Sequence, residues 1–130
     1  ALPELDLGWF DGVYGARPGM RFVIVPGLLI GPNNFGTSLR LPDGREIVYA
    51  VLGSSKVTSE GVPVVGDPKW LESLLVHEFG HSYAHPVIDA HRELLEPIFV
   101  ELFARVEDDM RPQSYGSWDS VAYETLVEDH

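Results

Sequence analysis

The feature that most constrains this chain is the segment His77-Glu78-Phe79-Gly80-His81, in which two histidines stand four residues apart and a glutamate follows the first. Residues at this spacing share one face of an α-helix, about one turn from each other. Both imidazoles can then reach one metal ion, while the glutamate is placed to take a proton from a bound water. The segment predicts a helix that carries a zinc site.

Signals on either side of the motif support a helix. Asp67 and Pro68 are typical of an N-cap and a first helical position, and the helix is expected from residue 69 to about 83. Its inward stripe combines apolar and histidine positions, namely Trp70, Leu74, His77 and His81. Pro86 is expected to end this helix or to begin the next one.

Two further helices are predicted after the motif. Residues 87–107 have a second helical apolar pattern, which Pro97 should kink or split. A loop is expected at 111–116, and Ser117 can cap a third helix that runs from Trp118 to the end of the sequence. The apolar pattern of that last helix does not stop, which leaves open a longer parent chain.

The part of the chain before the motif is expected to form a sheet. β-Branched and apolar runs between turn formers predict strands at 21–25, 38–41 and 46–52, and residues 28–30 can pair with the first or continue it. The turn at 42–44 indicates a hairpin. We therefore expect an α+β fold, with an N-terminal antiparallel sheet of three to four strands followed by the HExxH helix and two further helices.

Length and composition indicate one domain over residues 1–130, with a β-rich half at 1–66 and a helical half at 67–130. Twenty acidic residues against nine basic ones give a net charge of -11, which argues against a nucleic-acid partner. No apolar run approaches the roughly 20 residues that span a bilayer. We expect a soluble protein, cytoplasmic or exported, of unknown oligomeric state.

The chain has no cysteine, so a metal must be held by histidine, aspartate or glutamate. The metzincin spacing is excluded, because Ala84 stands at the glycine of that pattern and Val87 at its third histidine. His85 can extend the histidine stripe, although on an ideal helix it is rotated by about 80° from His77. His91 is a weaker candidate.

A glutamate from a later helix is the remaining source of a third ligand. Glu124 and Glu128 lie four residues apart on one stripe of the last predicted helix, and Glu124 is preferred. Asp89 could hydrogen-bond a ligand histidine, although a simple acid on the helix surface is the commoner explanation.

The stretch Leu74-Leu75-Val76-His77-Glu78-Phe79-Gly80-His81-Ser82, followed by Pro86, resembles a bacterial family of uncharacterised proteins with gluzincin-like zinc-peptidase features and an HEF-x-HS-x-x-x-P motif. The segments 31–36 and 48–53 are also similar, so the resemblance covers about residues 20 to 127. It implies a zincin-type fold and one Zn2+ ion bound by His77, His81 and Glu124. Glu128 stands where that pattern has a basic residue, so both glutamates stay candidates.

The resemblance also implies a peptide or protein substrate. Glu78 would act as the general base on the zinc-bound water, and Tyr115 or Tyr83 could donate a hydrogen bond to the oxyanion, unless they serve only in packing. The strand at 46–52 is expected to bind an extended peptide by edge pairing. Asn33 and Asn34 could contact substrate or simply form a turn.

Two functions from different classes follow. The first is a metallopeptidase or another amide hydrolase that uses Glu78. The second is a non-catalytic domain in which zinc holds the fold together and a surface binds a partner. Glu78 favours the first, because a structural zinc site more often closes its fourth position with another ligand.

Overall fold

The computed structural model describes residues 5–128 and has the α+β architecture expected from the sequence. Its elements are α1 (Gly8–Tyr14), β1 (Met20–Pro26), β2 (Asn34–Arg40), β3 (Glu46–Leu52), β4 (Lys56–Val57), β5 (Pro63–Val64), α2 (Pro68–Ala90), α3 (Arg92–Met110), a 3-10 turn (Arg111–Gln113) and α4 (Trp118–Glu128). Residues 129–130, which the predicted last helix included, lie outside the described residues. Among the described helices, none has the length and apolar character needed to cross a membrane.

The chain divides into two compact units, and the boundary between them falls between Ser82 and Tyr83, inside α2. The first unit holds α1, the five strands and the first part of α2. The second holds the end of α2, then α3, the 3-10 turn and α4.

The first unit is built on a three-stranded sheet in the order β1-β3-β2. β2 and β3 form the expected antiparallel hairpin, but β1 runs parallel to β3, so the prediction of an all-antiparallel sheet was wrong for this pair. Parallel neighbours need a long crossover, and the segment 27–45, which contains β2, supplies it. Residues 28–30, considered as a further strand, form a turn within that crossover.

The core of the first unit lies on one face of β3, whose side chains alternate between buried and half-buried. Phe22 of β1 meets Phe79 of α2 edge to face, with ring centroids 4.9 Å apart. Phe10, itself buried, stacks on Phe22 with ring centroids 6.3 Å apart. Phe10 is the buried residue of α1, so its side chain attaches this short helix to the core.

Helix α2 continues through Pro86, contrary to the expectation that the helix ends or restarts there. Proline has no N–H, so the carbonyl of Ser82 loses its usual helical donor. Arg17 replaces it: its Nη1 donates to Ser82 O at 2.6 Å, and its Nη2 donates to the carboxylate of Glu46. Both Ser82 and Glu46 are buried, so one guanidinium satisfies two groups that have little access to water.

In the second unit, α3 also continues through a proline, Pro97, so the helix is not split there. The carbonyl freed by Pro97 belongs to the exposed residue Glu93, where water can replace the missing donor. α3 packs on α4 through Phe99 and Trp118, whose ring centroids are 6.5 Å apart. The guanidinium of Arg92 also lies over the Trp118 ring, at 4.9 Å.

We predict that Arg17→Met lowers the free energy of unfolding by about 3 kcal/mol. It leaves a buried carbonyl without a donor, and it leaves the buried carboxylate of Glu46 with only the exposed Arg40, 3.8 Å away, as a cation. Pro86→Ala in that background should recover about 1 kcal/mol, since residue 86 regains an N–H for Ser82 O. Urea unfolding followed by circular dichroism measures both effects.

The matched control is Arg105→Met, which removes an exposed arginine paired with Glu101 on α3 and should change stability by less than about 0.5 kcal/mol. Pro86→Ala should help the Arg17→Met variant more than it helps the wild type. Equal gains in the two backgrounds would show that Arg17 does not replace the missing donor.

Candidate metal centre

Helix α2 begins where the sequence predicts. Asp67 caps it, with Oδ1 accepting hydrogen bonds from the N–H groups of Lys69 and Trp70 at 3.1 Å each. A stripe of buried apolar residues then fixes its orientation, namely Leu71, Leu75, Phe79, Tyr83, Ala84 and Ile88. These residues therefore determine which face of the helix is turned to the core.

The two histidines of the motif lie next to each other on α2, as their spacing predicts. Their ring centroids are 4.8 Å apart and their rings are nearly perpendicular, at 86°. His81 is buried and His77 is half-buried. The pair thus sits at the edge of the core, where a small ligand can still reach it.

Glu78 is buried, with 4% of its surface exposed, and the sheet approaches it closely. A Cβ added to Gly36 of β2 would lie 2.0 Å from the backbone oxygen of Glu78, so the two backbones are in direct contact. Only glycine fits this position. The sequence alone does not predict this role for Gly36, because a glycine in a strand carries no signal of which backbone it meets.

The preferred third residue, Glu124, joins the two histidines in a group of metal-ligand type. One ligand atom from each of His77, His81 and Glu124 lies within 4.8 Å of the other two. Two imidazole nitrogens and a carboxylate oxygen are a donor set that zinc accepts. Glu128, the alternative ligand, is exposed on α4 and is not part of that group.

His85, another histidine considered as a ligand, is not part of this group and packs against a tyrosine. Its ring lies against that of Tyr123, with centroids 4.0 Å apart. Burial lowers the pKa of His85, and the carboxylates of Asp89 and Glu124 act in the opposite direction. Asp89 is exposed, as the surface-acid interpretation has it, and it accepts a hydrogen bond from the Tyr123 hydroxyl at 2.6 Å.

The two tyrosines considered as oxyanion donors lie in different surroundings. Tyr83 is 2% exposed, which is typical of a core side chain. Tyr115 follows the 3-10 turn, is half-buried, and donates its backbone N–H to Met110 O at 3.1 Å. The role of Tyr115 stays a prediction.

The strand at 46–52 was predicted to bind a peptide along its edge, and that prediction was wrong. This strand is β3, whose two edges are already paired with β1 and β2. Asn33 and Asn34 hold the preceding loop: Asn33 Nδ2 donates to Ile30 O at 2.8 Å, and Asn34 Oδ1 accepts from the N–H of Gly53 at 3.2 Å. These contacts are those of turn residues.

Together, the fold and these side chains define an α+β protein with an HExxH helix and a group of three metal-ligand residues. The family model of a domain of unknown function, DUF4932, matches residues 7–129, so the chain belongs to that family. No curated protein and no solved structure matches the chain.

We predict that Gly36→Ala destabilises the protein by about 2–3 kcal/mol, because the added methyl group must push β2 away from α2. Gly12→Ala is the matched control, since a Cβ there has nothing within 4 Å and lies in helix α1. That change should leave stability unaltered or raise it by up to about 1 kcal/mol. Similar urea midpoints for the two variants would contradict the close contact at Glu78.

Proposed function

We propose that this chain is a zinc-dependent hydrolase that cleaves peptide bonds. The observation that carries the proposal is the convergence of His77, His81 and Glu124 ligand atoms within 4.8 Å. Three protein ligands match a catalytic zinc site, which keeps one position open for water. Glu78, the neighbour of His77 in sequence, supplies a fourth functional group that a purely structural site does not need.

The residues have separate roles in this scheme. His77, His81 and Glu124 would hold the ion, which when bound supplies a Lewis acid for the scissile carbonyl and for the attacking water. Glu78 takes the proton from that water and returns it to the leaving amine. Tyr115 is our candidate for a hydrogen-bond donor to the developing oxyanion.

A peptide substrate is supported by the edge of β2, which replaces the strand first predicted for this role. Within residues 5–128, β2 pairs only with β3, so its outer edge has backbone groups available to an extended segment. Gly36 in this strand touches the backbone of Glu78. A peptide paired along β2 would therefore run close to the general base.

The alternative, a non-catalytic zinc-stabilised domain that binds a partner, is favoured by one observation. Helix α3 has no fully buried residue, and it exposes apolar side chains four residues apart: Leu94 at 67%, Ile98 at 53% and Leu102 at 49%. An exposed helical stripe of this kind is typical of a surface that binds another protein.

Glu78→Gln separates the two functions. The variant should keep one zinc per chain by metal analysis and lose about a thousandfold in the rate of peptide cleavage, because its amide cannot accept the proton. Glu72→Gln, an exposed change on the same helix, should leave the rate unchanged. A zinc-loaded wild type that cleaves no member of a mixed peptide library would instead support the interaction domain.

The third ligand is tested by alanine substitution of the two glutamates on α4. Glu124→Ala should lose most of its zinc, measured by competition with a chromophoric chelator, because only two protein ligands remain. Glu128→Ala should bind zinc as the wild type does, since Glu128 is exposed and outside the group. The opposite order of affinities would make Glu128 the ligand.

A further inference from the structure

Helix α4 is attached to the end of α2 and the start of α3 through two side chains four residues apart, Asp119 and Tyr123. The Tyr123 hydroxyl donates to Asp89 at 2.6 Å, and its ring lies 4.0 Å from that of His85. The Arg92 guanidinium lies 3.3 Å from Asp119 and 3.6 Å from Asp89. All of these contacts fall on the same side of α4.

This attachment fixes how α4 is rotated about its own axis. Consecutive residues on a helix point about 100° apart, so holding Tyr123 against His85 and Asp89 also sets the direction of Glu124. Four side chains follow one another along α2 at intervals of four residues, namely His77, His81, His85 and Asp89. The first two belong to the metal-ligand group, and the last two hold Tyr123.

We propose that Tyr123 is a positioning residue for Glu124, and that its hydrogen bond to Asp89 sets the affinity of the site for zinc. The inference rests on the zinc site of the proposed function. Tyr123 would not touch the ion and would act only through Glu124, the ligand next to it in sequence. Because the ring stacks on His85 separately from the hydroxyl contact, the hydroxyl can be removed without losing the packing.

Tyr123→Phe is the direct test. It keeps the ring and removes the hydroxyl, and the Arg92 contact with Asp119 still attaches α4. Chelator competition should show zinc affinity lowered about five- to tenfold, the equilibrium change that corresponds to one lost hydrogen bond. Tyr49→Phe, the same chemical change on strand β3, should leave zinc affinity unaltered.

Asp89→Ala tests the acceptor side of the same hydrogen bond. It should weaken zinc binding at least as much as Tyr123→Phe, because it also removes the ion pair with Arg92. The double variant should be no weaker than Asp89→Ala alone, since the hydrogen bond is already lost there. The cobalt-substituted forms give a second readout: the visible spectrum of Tyr123→Phe should differ from that of the wild type, and the spectrum of Tyr49→Phe should not.

A purely structural role for Tyr123 predicts another pattern. Tyr123→Phe would then unfold at lower urea in the metal-free form, while its zinc affinity and cobalt spectrum stayed those of the wild type, and the inference would be overturned. Additive losses in the double variant would also overturn it. If the wild type bound no zinc at all, the proposed function would fail first, and this inference with it.

Discussion

The hydrogen bond from Arg17 to the carbonyl of Ser82 is the contact that lets the HExxH helix hold a proline in its interior without leaving a buried carbonyl unpaired. It replaces the helical donor that Pro86 lacks, and α2 runs as one helix from Pro68 to Ala90. A helix that stopped at Pro86 would carry the two motif histidines but would not keep Asp89 in register with them. Continuity of α2 therefore links the histidine pair to the residues that hold α4.

The residues of the proposed zinc site are fixed by forces of different strength. His77 and His81 lie on a helix whose inward face is buried, and burial of side chains such as Leu75 and Phe79 contributes about 2 kcal/mol each. Glu124 lies on α4, an 11-residue helix attached in part through the exposed Asp89. Hydrogen bonds and ion pairs at exposed residues are weak, so the position of Glu124 is the part of the site most sensitive to substitution.

The elements that the sequence predicts correctly are those encoded by short runs of neighbouring residues. The β-branched and apolar run at 46–52 predicts β3, the Asp67 cap predicts the start of α2, and the spacing of His77 and His81 places both on one face. Each of these patterns is contained within a few consecutive residues. The α+β class follows from the same patterns.

The features that the sequence does not predict depend on contacts between residues far apart in the chain. Arg17 and Ser82 are 65 residues apart, and nothing near Pro86 shows that a replacement donor exists. The parallel pairing of β1 with β3 depends on the long crossover between them. Gly36 and Tyr123 were missed for the same reason, since each matters only through a partner elsewhere in the chain, the backbone of Glu78 and the carboxylate of Asp89.

The most direct test of this account is a zinc-edge anomalous diffraction map from crystals of the zinc-loaded protein. We predict one peak per chain, about 2.0–2.2 Å from a ring nitrogen of His77, a ring nitrogen of His81 and a carboxylate oxygen of Glu124, with no fourth protein ligand. A peak bound by Glu128 or His85, or a site closed by four protein side chains, would contradict it.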